Sequence, residues 1–258
     1  MDWSALQYQR FEVQRSLPIR DLLARVPTTE VHRAADLGCG PGNSTEALRE
    51  RFPGAVVTGI DSSPDMIEAA RKRLPEVQFR TCDIAGWEAA DGSYDVVLAN
   101  ASMQWVPDHA ALLPRLLRTL APGGSLAVQM PDNLGEPAHL LMREIAERGP
   151  WAARLAGVGR EHENRESAEW YYRTLCGVAT VEVWRTTYYH ALEGGARAVI
   201  EWFRGSALKT FLAPLNEDER ESFLTMYEAA VAGAYPALRG GAILLPFPRL
   251  FFVATRSH

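Results

Sequence analysis

ADLGCGPGNS, Ala35 to Ser44, is the stretch whose reading decides the fold. A short apolar strand, AADLG at 34–38, runs into Gly38-x-Gly40-x-Gly42. The helical pattern NSTEALRERF follows at once, with Asn43 or Ser44 as its cap and Glu46 in the first turn. Glycines at such a turn let the backbone reverse sharply and approach a ligand closely, and the helix that starts there contributes unpaired N–H groups. Working outward, strand and helix patterns alternate. AVVTGID (55–61) reads as a buried strand, SSPDMIEAARKRL as a capped helix, VQFRTCDI (77–84) as a third strand and SYDVVLANA (93–101) as a fourth. ALLPRLLRTLAPGG then reads as a helix ending on Gly123 and Gly124, and SLAVQMP (125–131) as a fifth strand. The alternation predicts an α/β fold with a doubly wound, mostly parallel sheet and a ligand at the carboxyl ends of its strands.

Upstream, SLPIRDLLARV from Ser16 has apolar residues at helical spacing, with Pro18 in its first turn. Residues 1–33 are therefore expected to form a helical cover beside a cofactor-binding core at 34–131. Downstream, 136–177 reads as helices, VEVWRTTYYHAL (181–192) as a strand, 195–235 as two helices separated near Pro214, and FPRLFFVATR (247–256) as a closing strand. Residues 132–258 are expected to add a helical cap and the last strands of a seven-stranded, Rossmann-like sheet, all within one domain spanning 1–258.

The chain has 258 residues, 47% of them hydrophobic and 23% charged, which excludes long disorder and a disulfide scaffold. Its net charge of −5 argues against nucleic acid as a partner. No run of apolar residues is long enough to span a membrane, and the N-terminus, MDWSALQYQRFEVQR, lacks the apolar core of a signal peptide. The three cysteines, Cys39, Cys82 and Cys176, form no Cys-x-x-Cys pair, so a reducing cytoplasm is expected. Lys72 and Lys209 are the only lysines, against 25 arginines. A GC-rich genome accounts for that bias, while the guanidinium fork also suits carboxylate ligands.

Four strand ends carry the chemistry. In the first, a dinucleotide fingerprint would place its last glycine where Asn43 stands, and Asp36 would repel a pyrophosphate. A carboxylate there suits a ligand with an amino group, which favours S-adenosylmethionine over a nicotinamide cofactor. Asp61 ends the second strand about 20 residues after the glycine turn, where an acid grips ribose hydroxyls; Ser62 or Ser63 caps the next helix, which holds Met66. Asp83, at the end of the third strand, suits the adenine amino group, with Ile84 as an apolar face. Asn100, Ala101 and Ser102, followed by Met103, Gln104 and Trp105, would surround the methionine portion, with core packing as the other reading of Trp105.

Together these segments resemble the class I S-adenosylmethionine-dependent methyltransferases. The likeness extends to the trans-aconitate 2-methyltransferase family and runs nearly end to end. RSLPIRDLLARVP (15–27), ADLGCGPGNSTEAL (35–48), TGIDSSPDMIEAAR (58–71), NASMQWVPDH (100–109), LAVQMPDNLGEPAHLLMRE (126–144), VWRTTYYHAL (183–192) and ILLPFPRLFFVATR (243–256) carry it. The resemblance implies methyl transfer from S-adenosylmethionine to a carboxylate of trans-aconitate, leaving S-adenosylhomocysteine, in a cytoplasmic enzyme without a metal. A carboxylate nucleophile is already ionised at pH 7, so no catalytic residue is expected beyond those that position it. A tricarboxylate needs local positive charge and hydroxyls, and the candidates are Tyr8, Asn133, Arg185, Tyr188, Tyr189, Lys209 and Arg249. Arg15 is a candidate for the cofactor's methionyl carboxylate or for the substrate. The same fold acting on another small carboxylic acid is the alternative reading.

Overall fold

A computed structural model describes residues 12–159 and 165–257 of the chain. The first described helix, α1, is Glu12–Ala24. The core then alternates as expected: β1 Arg33–Leu37, α2 Asn43–Arg51, β2 Val56–Asp61, α3 Pro64–Arg73, β3 Gln78–Thr81, β4 Tyr94–Asn100, α4 His109–Thr119 and β5 Leu120–Pro131. The later chain supplies α5 Pro137–Arg148, α6 Ala152–Leu155, α7 Ala168–Leu175, β6 Ala179–Leu192, α8 Ala196–Arg204, α9 Ala207–Leu212, α10 Glu217–Ala234 and β7 Ile243–Arg256.

The seven strands form one sheet in the order β3-β2-β1-β4-β5-β7-β6. The β3-β2, β2-β1, β1-β4 and β4-β5 pairs are parallel, so the expected α/β, mostly parallel architecture is the one found. Strand order reverses between β1 and β4, and a doubly wound sheet opens a crevice at such a point. The register sets what lies there. Leu37 pairs with Ile60, Asp61 with Thr81, Asp36 with Leu98 and Asn100 with Gln129. The carboxyl ends of the first four strands therefore emerge along one edge.

The described residues cluster into two compact units, one within Met1–Pro131, Glu163–Thr186 and Leu250–His258, the other within Asp132–His162 and Thr187–Arg249. In the first, Leu37, Val97, Leu126, Val128 and Phe252 belong to a large buried apolar cluster, and Cys39, Ile67, Ala70, Leu74, Val77 and Phe79 form a smaller one. The helix α1 turns Ile19, Leu22, Leu23 and Val26 inward at helical spacing. In the second unit, α10 lies against α5 and α8. Its buried Tyr227 donates to the Ala138 carbonyl at 3.1 Å, and Phe223 packs on Trp151 and Phe211.

Several boundaries differ from the sequence reading, each for a physical reason. Pro18 stands inside α1 and not in its first turn, because the helix begins earlier, at Glu12. The helix α4 stops at Thr119 and does not reach Gly123 and Gly124. Leu120 pairs instead with Tyr94, so β5 starts there and carries the Pro-Gly-Gly stretch through a register shift on β4. The third strand ends at Thr81, and Ile84–Gly86 is a single 3-10 turn. The stretch 195–235 holds three helices, since Ser206 separates α8 from α9. The closing strand starts at Ile243 and runs through Pro246 and Pro248.

Leu37, the last residue of β1, is fully buried. Leu37→Ala is expected to cost about 3 kcal/mol by urea unfolding, with an unchanged slope; a loss under about 1 kcal/mol would contradict its place in the core.

Candidate active site

The site is built on the end of β1. Asp36 is fully buried. Its Oδ2 accepts two hydrogen bonds, from Ser44 Oγ and Thr45 Oγ1, both at 2.7 Å. These hydroxyls belong to the first turn of α2, so Ser44 and Thr45 serve the acid and not the cap. The N-cap is Gly42, at φ 95°, with no side-chain cap hydrogen bond, in place of Asn43 or Ser44. The other oxygen, Asp36 Oδ1, is buried without a hydrogen-bond partner. Burial pushes the Asp36 carboxyl up to about 6, against the pull of the Thr45 and Ser44 hydroxyls; the nearby Asp61 charge adds a smaller push. An orphaned acceptor in such a place is costly until a donor arrives.

The turn that follows requires glycine at Gly38. Its φ is +75°, and a Cβ there would sit 2.3 Å from Ser102 Cβ and 3.3 Å from Ile84 Cδ1. Gly40 has nothing within 4 Å of the corresponding position, so the turn faces open space there. Asp61 is half-buried at the end of β2, and both its oxygens are engaged by backbone. Oδ2 accepts from Gly40 N at 3.0 Å and Oδ1 from Ser63 N at 2.9 Å. Each oxygen keeps a second lone pair, so the carboxylate is oriented and still able to accept from a diol. Ser63, not Ser62, caps α3 by accepting from Met66 N; Met66 is buried and Ser62 exposed.

Asp83 Oδ1 accepts from Ala85 N at 2.8 Å and caps the 3-10 turn that holds the buried Ile84. After β4, Asn100 Oδ1 accepts from Gln129 Nε2 at 2.8 Å, which ties that side chain to β5. Ala101 adopts a φ of 53°, and Ser102 Oγ donates to the Leu37 carbonyl at 2.6 Å. Gln104 Nε2 donates to the Ala101 carbonyl at 2.8 Å, and its Oε1 is buried without a hydrogen-bond partner. Trp105 is 40% exposed, which removes core packing as its role. Asp36, Gly38, Gly40, Gly42, Asn43, Asp61, Asp83, Ile84, Asn100, Ala101 and Ser102 thus lie on the segments that leave one edge of the sheet. The residues the sequence did not reveal are Ser44 and Thr45 as partners of Asp36. The only signal for them was hydroxyls one turn beyond a buried acid.

Three features fit S-adenosylmethionine. The unpartnered Asp36 oxygen suits an ammonium, the open side of Gly40 suits a chain approaching closely, and the oriented Asp61 carboxylate suits a ribose diol. Among the described residues no group of three or more His, Cys, Asp or Glu could hold a metal ion, and no helix is long and apolar enough to cross a membrane.

The residues expected on the substrate side are spread more widely. Tyr8 lies outside the described residues; Arg15 lies in α1, and its side chain is outside what the structure describes. Arg185 is exposed on β6 within the first unit. In the second unit Asn133 is buried, Tyr188 half-buried, and Lys209 exposed, while Tyr189 is 62% exposed. Arg249 is only 6% exposed, with its guanidinium carbon 4.9 Å from the Phe247 ring centre. Phe247 in turn meets His190 at 5.7 Å and Trp202 at 5.8 Å, and His190 stacks on Trp202 at 4.6 Å. Among the described cations of the set, Arg249 is the buried one, set over an aromatic ring.

Residues 34–124 match the family described as "Methyltransferase domain". A trans-aconitate 2-methyltransferase of Methylobacterium nodulans is 52% identical over 258 residues, covering 100% of this chain and 99% of its own length. The enzyme of that name from Rhizobium meliloti is 48% identical, with 100% of both chains covered. The chain belongs to the trans-aconitate 2-methyltransferase family. Solved structures agree on the fold. The YcgJ protein of Bacillus subtilis superposes with a TM-score of 0.60 at 13% identity, covering 95% of this chain and 99% of that one. Phosphoethanolamine N-methyltransferase 2 of Haemonchus contortus, in complex with S-adenosyl-L-methionine, gives a TM-score of 0.55 at 19% identity over 93% of this chain and 52% of its own. The domain match ends at 124, so the trans-aconitate 2-methyltransferase likeness is what extends through the second unit.

Two expected outcomes follow from the geometry. Asp61→Ala should weaken S-adenosylhomocysteine binding by about ten- to a hundredfold in calorimetry, through loss of charge-assisted bonds; unchanged affinity would remove Asp61 from the site. Asp36 keeps its proton below about 6, and a protonated carboxyl holds an ammonium poorly. Affinity should therefore fall as pH drops from 7 towards 5, by up to about tenfold per unit below that midpoint. Asp36→Asn should bind weakly at all pH values and lose the dependence. A wild-type affinity that is flat over this range would contradict the assignment.

Proposed function

We propose that the chain methylates a carboxylate of trans-aconitate, using S-adenosylmethionine held at the carboxyl ends of β1, β2, β3 and β4. What carries this reading is the likeness over the whole length to curated trans-aconitate 2-methyltransferases, joined to a site whose free acceptors suit a cationic, ribose-bearing ligand. When bound, S-adenosylmethionine supplies a methyl group activated on a sulfonium sulfur. The rest is positioning by this chain. Asp36 Oδ1 would receive the ammonium, and Asp61 would receive the ribose hydroxyls, its carboxylate kept in place by Gly40 N–H and Ser63 N–H. Asp83 would accept from the adenine amino group beside Ile84. Ser102, fixed to Leu37, closes the turn over Gly38.

The acceptor of the methyl group is a carboxylate, so no proton has to be removed from it at pH 7. Alignment of oxygen, methyl and sulfur with exclusion of water supplies about 7–11 kcal/mol in comparable reactions. The remaining carboxylates of the substrate need cations, and Arg249 is assigned that role first, because a guanidinium in apolar surroundings pairs strongly with a carboxylate. Asn133, Tyr188 and Lys209 are assigned supporting contacts, and Arg15 the cofactor or substrate carboxylate. The free state of Cys39, Cys82 and Cys176 supports placing the reaction in the cytoplasm.

The test is methyl transfer from labelled S-adenosylmethionine to trans-aconitate, cis-aconitate, isocitrate, citrate and succinate. Base-labile label formed chiefly with trans-aconitate is expected. Transfer chiefly to another member of the panel would keep the cofactor and replace the substrate. Arg249→Ala should raise KM for trans-aconitate by about tenfold or more, with a smaller change in cofactor affinity; an unchanged KM would move the carboxylate site elsewhere.

A further inference from the structure

The turn after β4 is held from behind by a buried polar chain that neither the glycine turn nor the substrate contacts use. Met103 begins a single 3-10 turn, Met103–Trp105, immediately after Ala101 and Ser102. Its carbonyl accepts from Val106 N–H at 2.9 Å and faces His109 Nε2 at 2.9 Å. His109 opens α4 and is buried. Its Nδ1 lies 2.6 Å from Tyr171 Oη. Tyr171 comes from α7, fully buried, stacked on Phe252 at 4.9 Å and edge-on to Trp170 at 5.3 Å. Its hydroxyl also accepts from Glu166 N–H at 3.2 Å.

The chemistry of these groups fixes the direction of the chain. A carbonyl only accepts, so His109 Nε2 carries a hydrogen, and in the tautomer that places it there Nδ1 accepts. Burial pushes the Tyr171 hydroxyl up to about 12, so the phenol keeps its proton; its acceptors are Met130 Sδ at 3.9 Å and His109 Nδ1 at 2.6 Å, and the nearer, stronger acceptor takes it. The sequence of donation is then Glu166 N–H to Tyr171, Tyr171 O–H to His109, and His109 Nε2–H to the Met103 carbonyl. Every member has its partner, and buried chains of this kind hold one geometry. Tyr171 lies beyond the 34–124 stretch shared with methyltransferase domains in general. The brace therefore runs from the later part of the chain to the turn that packs on Gly38 and carries Gln104, whose Oε1 is buried without a hydrogen-bond partner.

We propose that His109, held by Tyr171, is a positioning residue that sets the turn after β4 for cofactor binding. It acts through the Met103 carbonyl and touches neither reactant. The inference rests on the reading that this turn faces the methionine portion of the cofactor.

The experiment measures S-adenosylhomocysteine affinity by calorimetry, well below the unfolding temperature, for wild type, His109→Leu, His109→Gln and Tyr171→Phe. His109→Leu leaves the Met103 carbonyl without its second donor and should weaken binding about tenfold or more. His109→Gln keeps an N–H donor near the Nε2 position and should stay within about threefold of wild type. Tyr171→Phe keeps the ring stack and removes one oxygen, and should weaken binding by about threefold to tenfold. A merely structural role would lower the melting temperature and leave affinity unchanged in all three variants, which would overturn the inference. If His109→Leu does not fold, Tyr171→Phe decides alone, and wild-type affinity in that variant overturns it. A wild-type chain that binds no S-adenosylhomocysteine would overturn the cofactor reading and this inference together. Binding without transfer to trans-aconitate would overturn the substrate alone.

Discussion

A carboxylate buried at the end of the first strand sets the terms for the rest of the site. Asp36 is fully enclosed, and an ionised carboxylate in that position is costly unless something stabilises its charge. The chain meets half of that demand itself. Two hydroxyls from the first turn of α2 bond to one oxygen, and they reach it only because the glycine turn folds the helix start back onto β1. The remaining oxygen is where the fold leaves demand for a cation. The arrangement couples three features that read separately in the sequence: an acid, a glycine turn and a helix start.

The two compact units differ in the polar groups they offer. The strand ends of the first unit offer acceptors: Asp36, Asp61, Asp83 and the oxygen of Gln104. These suit a ligand with an ammonium, a diol and an exocyclic amine. The second unit offers a buried guanidinium, Arg249, set on Phe247 near His190 and Trp202. That is a setting for anionic groups. The net charge of −5 leaves no general field to attract a tricarboxylate, so recognition has to come from local pairs of this kind.

The parts of the structure written in local pattern were legible from the sequence. Alternating strands and helices, the glycine turn and the acid at the end of β2 depend on neighbours a few residues away, and they stand where the pattern puts them. The parts decided by distant contacts were not. Ser44 looks like a cap until Asp36 is seen to take its hydroxyl. The helix α4 looks as though it should run to Gly123, and stops at Thr119 because Tyr94 offers a strand partner to Leu120. His109 reads as an ordinary helix-start residue, since its partner Tyr171 is 62 residues away. Among the cations, Arg249 stands in the apolar run of β7 and Arg185 in the alternating pattern of β6, and the first is buried beside an aromatic ring while the second is exposed.

The central claim is that the cofactor completes the unfinished pairing of Asp36. The most direct measurement is the carboxyl carbon resonance of Asp36, followed by NMR through pH 4 to 8 with and without S-adenosylhomocysteine. The account predicts a midpoint of about 6 in the free protein and one at least about a unit lower in the complex, as an ammonium favours the ionised carboxylate. A midpoint that does not move on binding would contradict it.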